Sequence, residues 1–276
     1  MLSAETDWGV GLLADRVVIT PAPHRPWRGP STAADILHCE SAEPQQPRWE
    51  PAMHALLQRL RQDRPDRLRI KVRLSSEFVR WLVLPWPAGI DSINELHAMA
   101  QLQFREVFGP VAQDWRLSLA PVGAGQPLLV CAVDQALIDA FQSPQLVADG
   151  VRVQSVEPYF SAAFDRWLGR VGRKTSWFLA VEPQLVTVGL WLDGACRGVR
   201  CVRVGEGDPT QQWQQIQHAQ LQMGLSLGST VAPDAHAFVT GWERRARPEQ
   251  LPHAVWLGSS DGPDGQNGLT RMASGL

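Results

Sequence analysis

The sequence has few of the residue patterns that mark catalytic or metal sites. Its four cysteines have no CxxC spacing, and its seven histidines form neither HxH nor HExxH. The phosphate-binding patterns GxGxxG and GxxxxGK[ST] are absent as well. We interpret the cysteines as buried reduced thiols. We predict that the protein is not an enzyme, and we assign no catalytic, cofactor-binding or metal-binding residue.

The chain also lacks a strong charge of either sign and a long apolar run. It has 26 Lys and Arg residues against 28 Asp and Glu residues, a net charge of −2. A chain with this balance has no bulk electrostatic attraction for nucleic acid or for an anionic membrane. No apolar run approaches the roughly 20 residues that a membrane-spanning helix needs. The N-terminus has no basic segment followed by an apolar one. We expect a cytoplasmic protein without direct membrane insertion.

One tyrosine stands against twelve tryptophans. Tryptophan is a large anchor in cores and in interfaces alike. Trp81, Trp177 and Trp191 lie in apolar runs, which favours the core. Trp86 instead lies between two prolines in a predicted turn. A core role and an interface role both remain open for it, and we name Trp86 as the candidate partner-binding residue.

The first part of the chain alternates strand-like and helix-like patterns. Apolar residues recur at period two in strands and at period 3.6 in helices. Ser92 and Glu95 have the spacing of a capping box, which predicts a helix start there. The predicted order is a hairpin at 8–20, a helix at 51–62, strands at 67–75 and 78–86, a helix at 93–109, a strand at 114–122, a strand and helix at 127–141, a strand at 150–158 and a helix at 158–171.

A second series of elements begins at residue 176. Residues 176–205 predict a three-stranded meander with turns at Glu182-Pro183-Gln184 and Asp193-Gly194. A helix at 210–225 and short strands at 235–243 and 254–258 follow. The C-terminal residues are rich in Gly, Asp and Ser, which predicts a loose tail.

A meander followed by a helix and a parallel strand is the order of a ribonuclease-H-like unit, and two such units form the actin-like fold. We therefore predict an α/β protein with the actin-like fold, two ribonuclease-H-like lobes and a truncated second lobe. The first lobe spans 1–172 and carries an inserted strand–helix unit. The second is a shortened lobe at 173–276 with a flexible C-terminal tail.

Residues 70–170 resemble the first lobe of actin-like assembly proteins of pilus and secretion machines, with weaker similarity at 8–20 and 176–205. The similarity is carried by VRLSSEFVRWLVLPWP, INELHAMAQLQFREVFG and PLLVCAVDQALIDAFQ, with a strand ending at Leu84-Pro85. The families are the type IV pilus protein PilM and the cytoplasmic domain of the type II secretion L protein. The similarity is one of pattern, without an invariant signature.

The resemblance implies a nucleotide cleft between two hairpin turns, one in each lobe. Such turns carry an Asp and small residues that let phosphate approach the backbone. Here Leu12 and Leu13 occupy the first turn. In the second, Glu182 is followed by Pro183, which removes a backbone donor. Gly241, on the adenosine side, is followed by a bulky tryptophan. We predict no cofactor and no nucleotide hydrolysis, and residual ATP binding stays open.

The resemblance therefore implies a non-catalytic cytoplasmic scaffold of a bacterial type IV pilus or type II secretion-like apparatus. Such a protein lies peripheral to the inner membrane and binds an inner-membrane assembly protein with a cytoplasmic tail. The secretion family further implies contact with an assembly ATPase. Two alternatives remain: a nucleotide-binding ATPase or kinase-like member of the actin superfamily, and an α/β interaction domain unrelated to actin.

Overall fold

The computed structural model describes residues 6–21, 34–63, 67–87, 89, 92–120, 122–123, 125–148, 150–171, 175–205, 208–228, 236–242, 254–257 and 272–273. The strands are β1 Thr6–Leu12, β2 Arg16–Pro21, β3 Asp35–His38, β4 Leu68–Leu74, β5 Val79–Leu84, β6 Trp115–Leu119, β7 Leu128–Asp134, β8 Val151–Pro158, β9 Ser176–Glu182, β10 Leu185–Leu192, β11 Ala195–Arg203, β12 Ala237–Thr240 and β13 Ala254–Trp256. The α-helices are α1 Glu50–Asp63, α2 Ile93–Phe108, α3 Gln135–Phe141, α4 Pro144–Ala148, α5 Tyr159–Val171 and α6 Pro209–Ser226.

The first sheet has the strand order β3-β2-β1-β4-β8. The strands β1, β2 and β3 form an antiparallel meander, and β4 and β8 continue the sheet in parallel to β1. The period-two pattern of β4 places Ile70 and Val72 in the core. Helix α1 buries Met53, Leu56 and Leu60 against the same sheet, as its period of 3.6 predicts.

The second sheet repeats this arrangement with the order β11-β10-β9-β12-β13. Its first three strands are antiparallel, and β12 and β13 run parallel to β9. Both tight turns of the meander lie where the sequence predicts them. Asp193 and Gly194 have φ of 50° and 81°, the left-handed pair that a type I′ hairpin turn requires. At the other turn Gln184 has φ of 59° and follows Pro183, whose ring keeps φ negative. Each sheet is thus a meander extended by two parallel strands. The third strand of the first meander, β3, was not predicted, since the sequence analysis gave only a hairpin at 8–20.

A third, three-stranded sheet is inserted between β4 and β8, with the order β5-β7-β6. Helix α2 covers it through Leu96, Ala100 and Phe104. The capping box predicted at its start is present: the Ser92 hydroxyl accepts from the Glu95 N–H, and the Glu95 carboxylate accepts from the Ser92 N–H. This insertion corresponds to the strand–helix unit predicted in the first half of the chain.

Helix α5 lies between the first and second sheets, because its apolar residues share one core cluster with residues of both. Aromatic rings fill this cluster. Phe164 stacks on Trp191 at a centroid distance of 4.1 Å, and Phe160 meets Trp81 edge-on at 5.3 Å. A Cβ atom on Gly189 would lie 2.3 Å from Trp191, so the glycine provides the space that this indole occupies.

Residues 272–273 pack against the first sheet. Met272 and Ala273 are 1% and 2% exposed and belong to the cluster around α5. A Cβ atom on Gly9 would lie 2.1 Å from the Ala273 carbonyl oxygen. The prediction of a flexible C-terminal tail is therefore wrong for these two residues. Their apolar side chains are removed from water against the core, which favours an ordered position. Residues 258–271 and 274–276 lie outside the described part.

Candidate functional site

A groove of about 960 Å³ lies between the inserted sheet and the first sheet. Strand β6 forms one wall, and β8 and the start of α5 form the other. Within the described residues, β6 and β8 are each the last strand of their sheet. An edge strand presents backbone N–H and C=O groups that can pair with another extended segment. Two such edges therefore face one groove.

The groove is mainly apolar with a few polar atoms at fixed positions. Leu117, Leu129 and Val153 are among its lining residues. Ser155 and Trp81 also line it, and the Ser155 hydroxyl and the Trp81 indole N–H are buried without a hydrogen-bond partner among the described residues. Buried polar atoms are normally hydrogen-bonded. An apolar cavity with a few such groups has the general composition of a ligand site.

Charged groups mark the end of the groove near α5. Arg73 and Glu157 face each other across β4 and β8, and their charged groups are 3.3 Å apart. Asp165 of α5 lines the same end. Partial burial, followed by the negative charge of Glu157, raises the pKa of Asp165. This end of the groove therefore carries two carboxylates beside one guanidinium.

A second candidate region lies where the hairpin β1–β2 approaches the hairpin β9–β10. Leu12 and Leu13 are 0% and 4% exposed and belong to the apolar core. Asp15, in the turn, is exposed and bonds the Arg16 guanidinium, which lowers the pKa of the carboxyl group. The first turn thus offers apolar side chains and a neutralised acid at the place where a phosphate would need backbone donors.

The second turn is filled by Glu182. Its side chain is buried, and its two carboxylate oxygens lie 3.0 and 3.2 Å from the backbone nitrogen of Ser76, which donates to them. The side chains of Ser75 and Ser76 also favour the ionised form of this carboxyl group. Burial raises the pKa of Glu182, and these hydrogen bonds oppose that effect. The donors at this point are therefore engaged by a side chain of the protein itself.

Ion pairs close the outer side of the same cleft. Glu77, which follows Ser76 in a short 3₁₀ helix, pairs with Arg203 of β11 at 2.6 Å and with Arg48. A cavity of about 430 Å³ lies beside these residues and extends to Leu13 and Pro183. Gly241 has φ of 82°, and a Cβ atom on it would lie 2.2 Å from the Val181 carbonyl oxygen. This glycine therefore serves the packing of β12 on β9.

Trp86, the candidate partner-binding residue, lies after β5 and is partly buried. It packs against the apolar cluster between the inserted sheet and α2. It is not among the residues that line the large groove. The structure therefore does not bring Trp86 together with the groove, and its binding role stays a prediction.

The described residues give little support for a metal site, a hydrolase nucleophile or a membrane-spanning helix. No group of three or more His, Cys, Asp or Glu side chains there could hold a metal ion. The sequence contains two GxSxG pentapeptides, and the one at 258–262 lies outside the described residues. In the one at 224–228, Ser226 ends α6 and its hydroxyl donates to the Met223 carbonyl at 2.9 Å. A hydrolase nucleophile instead needs a strand-to-helix turn. No helix in the described residues has both the length and the apolar character to cross a bilayer.

Comparisons with known proteins find similarity to solved structures. No family model and no curated protein matches the sequence. A chain of the PilM-PilN type IV pilus biogenesis complex is similar in structure, with a TM-score of 0.52 and 13% identity, over 85% of this chain and 80% of that one. The cytoplasmic domain of EpsL, an inner membrane component of the type II secretion system of Vibrio cholerae, has a TM-score of 0.52 and 14% identity, over 98% and 94% of the two chains.

These similarities confirm the predicted fold. The chain is an α/β protein with an actin-like fold whose two main sheets share one strand order. Its structural neighbours include assembly proteins of pilus and secretion systems, the groups that the sequence resembles. At this level of identity the comparison shows the fold, and function has to be argued from the sites.

Proposed function

We propose that the protein is a non-catalytic scaffold of a type IV pilus or type II secretion-like apparatus. It acts on the cytoplasmic side of the inner membrane and holds an extended segment of an inner-membrane partner protein in the groove between β6 and β8. The observation that carries the proposal is the pair of sheet edges facing one apolar groove. An assembly ATPase as a second partner stays a prediction from the sequence.

The dimensions of the groove suit a peptide. Strand β8 has 8 residues, and an extended chain advances about 3.3 Å per residue. A segment of about six to eight residues could therefore lie along it. Main-chain hydrogen bonds to an edge strand supply affinity in this mode of recognition, and pockets for alternate side chains supply specificity.

The lining residues complement such a segment. Leu117 and Val153 offer apolar surface to the side chains that point inward. Ser155 and Trp81 belong to the same lining, and their hydroxyl and indole N–H have no hydrogen-bond partner among the described residues. Glu157 and Asp165 at one end favour a segment with a basic residue there, since like charges would repel.

The nucleotide cleft supports the non-catalytic part of the proposal. Phosphoryl transfer requires donors and a metal around the phosphates. In this chain Leu12 and Leu13 are buried at the first turn, and Glu182 engages the Ser76 N–H at the second. A carboxylate at this position repels a phosphate and competes for the same donor.

The groove can be tested with synthetic peptides. The probes are 20-residue peptides from the cytoplasmic tails of inner-membrane pilus and secretion proteins of the same organism, measured by fluorescence anisotropy. Ser118 lines the groove and is exposed, so Ser118→Trp blocks it without loss of core packing. Gln214→Trp on the exposed face of α6 is the control. We expect about tenfold or greater loss of affinity for the first variant alone.

Equal affinities of wild type, Ser118→Trp and Gln214→Trp for a bound peptide would place binding elsewhere and contradict the groove. The alternative function, nucleotide binding, is tested separately by thermal unfolding with Mg-ATP. A millimolar ligand with micromolar affinity would add about 4 kcal/mol to the free energy of unfolding. We expect no upward shift, and a clear one would favour the nucleotide-binding alternative.

A further inference from the structure

Glu182 and the segment after β4 join the two main sheets through a buried contact. Glu182 ends β9 of the second sheet, whereas Ser75 and Ser76 follow β4 of the first. The carboxylate accepts from the Ser76 N–H through both oxygens, at 3.0 and 3.2 Å. In the same segment, the Ser75 N–H donates to the Leu12 carbonyl at 2.9 Å. The contact therefore links the ends of β1, β4 and β9.

Burying a carboxylate is costly unless hydrogen bonds or charges compensate. Here the compensation comes from the other sheet, through the backbone and hydroxyl donors of Ser75 and Ser76. Thr187 of β10 extends the network, since its hydroxyl donates to the Ser76 hydroxyl oxygen at 2.6 Å and both side chains are buried. The network is satisfied only while the two sheets keep their present placement.

Charged residues also lie beside this hydrogen-bond network. Glu77 faces the carboxylate with a like charge, and it is itself paired with Arg203 and Arg48. These ion pairs are more exposed than Glu182, and exposed pairs stabilise little. The hydrogen bonds of Glu182 are therefore the stronger link between the sheets at this point.

We infer that the Glu182 side chain locks the two hairpin ends together, so that the protein keeps the present arrangement of its sheets without a bound ligand. The carboxylate occupies the donors that an anionic ligand would otherwise have to bring together. This inference concerns a different site from the groove, and it does not depend on the peptide proposal.

Hydrogen–deuterium exchange of the full chain tests the lock, because the Ser76 amide is one of its donors. We expect Glu182→Ala to speed exchange by about tenfold or more in peptides covering 74–79 and 182–187, from the loss of charged hydrogen bonds. Peptides from α1 and α6 should not change. Glu106→Ala, at an exposed position of α2, is the matched control and should leave 74–79 and 182–187 as in wild type.

Two further variants keep the test decisive if Glu182→Ala does not fold. Glu182→Gln keeps the side-chain shape without the charge, and Thr187→Val removes the hydroxyl that donates to Ser76; both should speed exchange in the same two segments. Addition of inorganic pyrophosphate to the wild type should leave the exchange rates of 74–79 and 182–187 unchanged. Unchanged exchange in all foldable variants, equal acceleration throughout both sheets, or protection of 74–79 by pyrophosphate would each overturn the inference.

Discussion

The carbonyl oxygen of Ala273 lies 2.1 Å from the position that a Cβ atom on Gly9 would occupy. The two residues are 264 positions apart in the sequence, from 273 − 9. Their contact packs residues 272–273 onto β1 of the first sheet. Gly9 is therefore a packing residue of β1.

Substitution of Gly9 tests this contact. Gly9→Ala should destabilise the protein by about 1–3 kcal/mol, the usual cost of overpacking. Gly11→Ala is the matched control, since its new Cβ would meet Ala273 at an ordinary 3.5 Å, and it should cost less than about 1 kcal/mol. Urea unfolding measures both. Equal losses for the two variants would contradict the proposed close approach.

Trp86→Ala tests the candidate interface residue. If Trp86 anchors a partner, the variant should weaken binding of the inner-membrane tail peptides by tenfold or more, that is by about 1.4 kcal/mol. Its thermal unfolding should change little. Trp115→Ala, in the same apolar cluster, is the comparison for a purely structural loss. A large fall in stability with unchanged peptide affinity would assign Trp86 to the core.

The capping box of α2 should contribute measurably to stability. Ser92→Ala removes the acceptor of the Glu95 N–H and should lower the free energy of unfolding by about 1 kcal/mol. Asn94→Ala changes a neighbouring exposed residue of the helix and should have less effect. Chemical denaturation of the three proteins provides the measurement. A loss for Asn94→Ala as large as that for Ser92→Ala would mean that the cap is not the cause.

Stability should fall at alkaline pH through Cys131, which lines the groove. Burial raises the pKa of Cys131 from 9.0 to about 11. The thiol form is thus favoured in the folded state, so its stabilising contribution is complete below pH 9 and is lost as the pH rises towards 11. The free energy of unfolding of Cys131→Ala should fall less steeply over this interval, by at most about 1.4 kcal/mol per pH unit.

Urea unfolding at pH 8, 9.5 and 10.5, with reductant, measures this slope. Ser118→Ala is the control, because Ser118 pairs with Cys131 in the sheet and has no thiol to titrate. If the free energy of unfolding fell equally with pH for wild type and Cys131→Ala, folding would not change the pKa of this thiol.

Local patterns were enough to predict most elements. The period-two run of β4 and the capping box at Ser92 rest on interactions between residues close in sequence, so they can be recognised there. The two tight turns of the second meander belong to the same class. From the order of these elements, the actin-like fold could be predicted as well, since sequential strands usually lie side by side.

The sites could not be predicted in the same way. The groove exists because β6 and β8 become edges of different sheets that face each other. The sequence marks Glu182 as a turn acid, but its bond to Ser76 joins residues 106 positions apart. The burial of Met272 and Ala273 in a Gly- and Ser-rich terminus was missed for the same reason.

The sequence by itself determined most strands and helices and their order, because these depend on side-chain periodicity and on short-range backbone chemistry. Only the tertiary structure decided where the edges meet, which donors Glu182 occupies and what lies against Gly9. Such contacts depend on how separate sheets pack, and packing is set by the shape of the whole core.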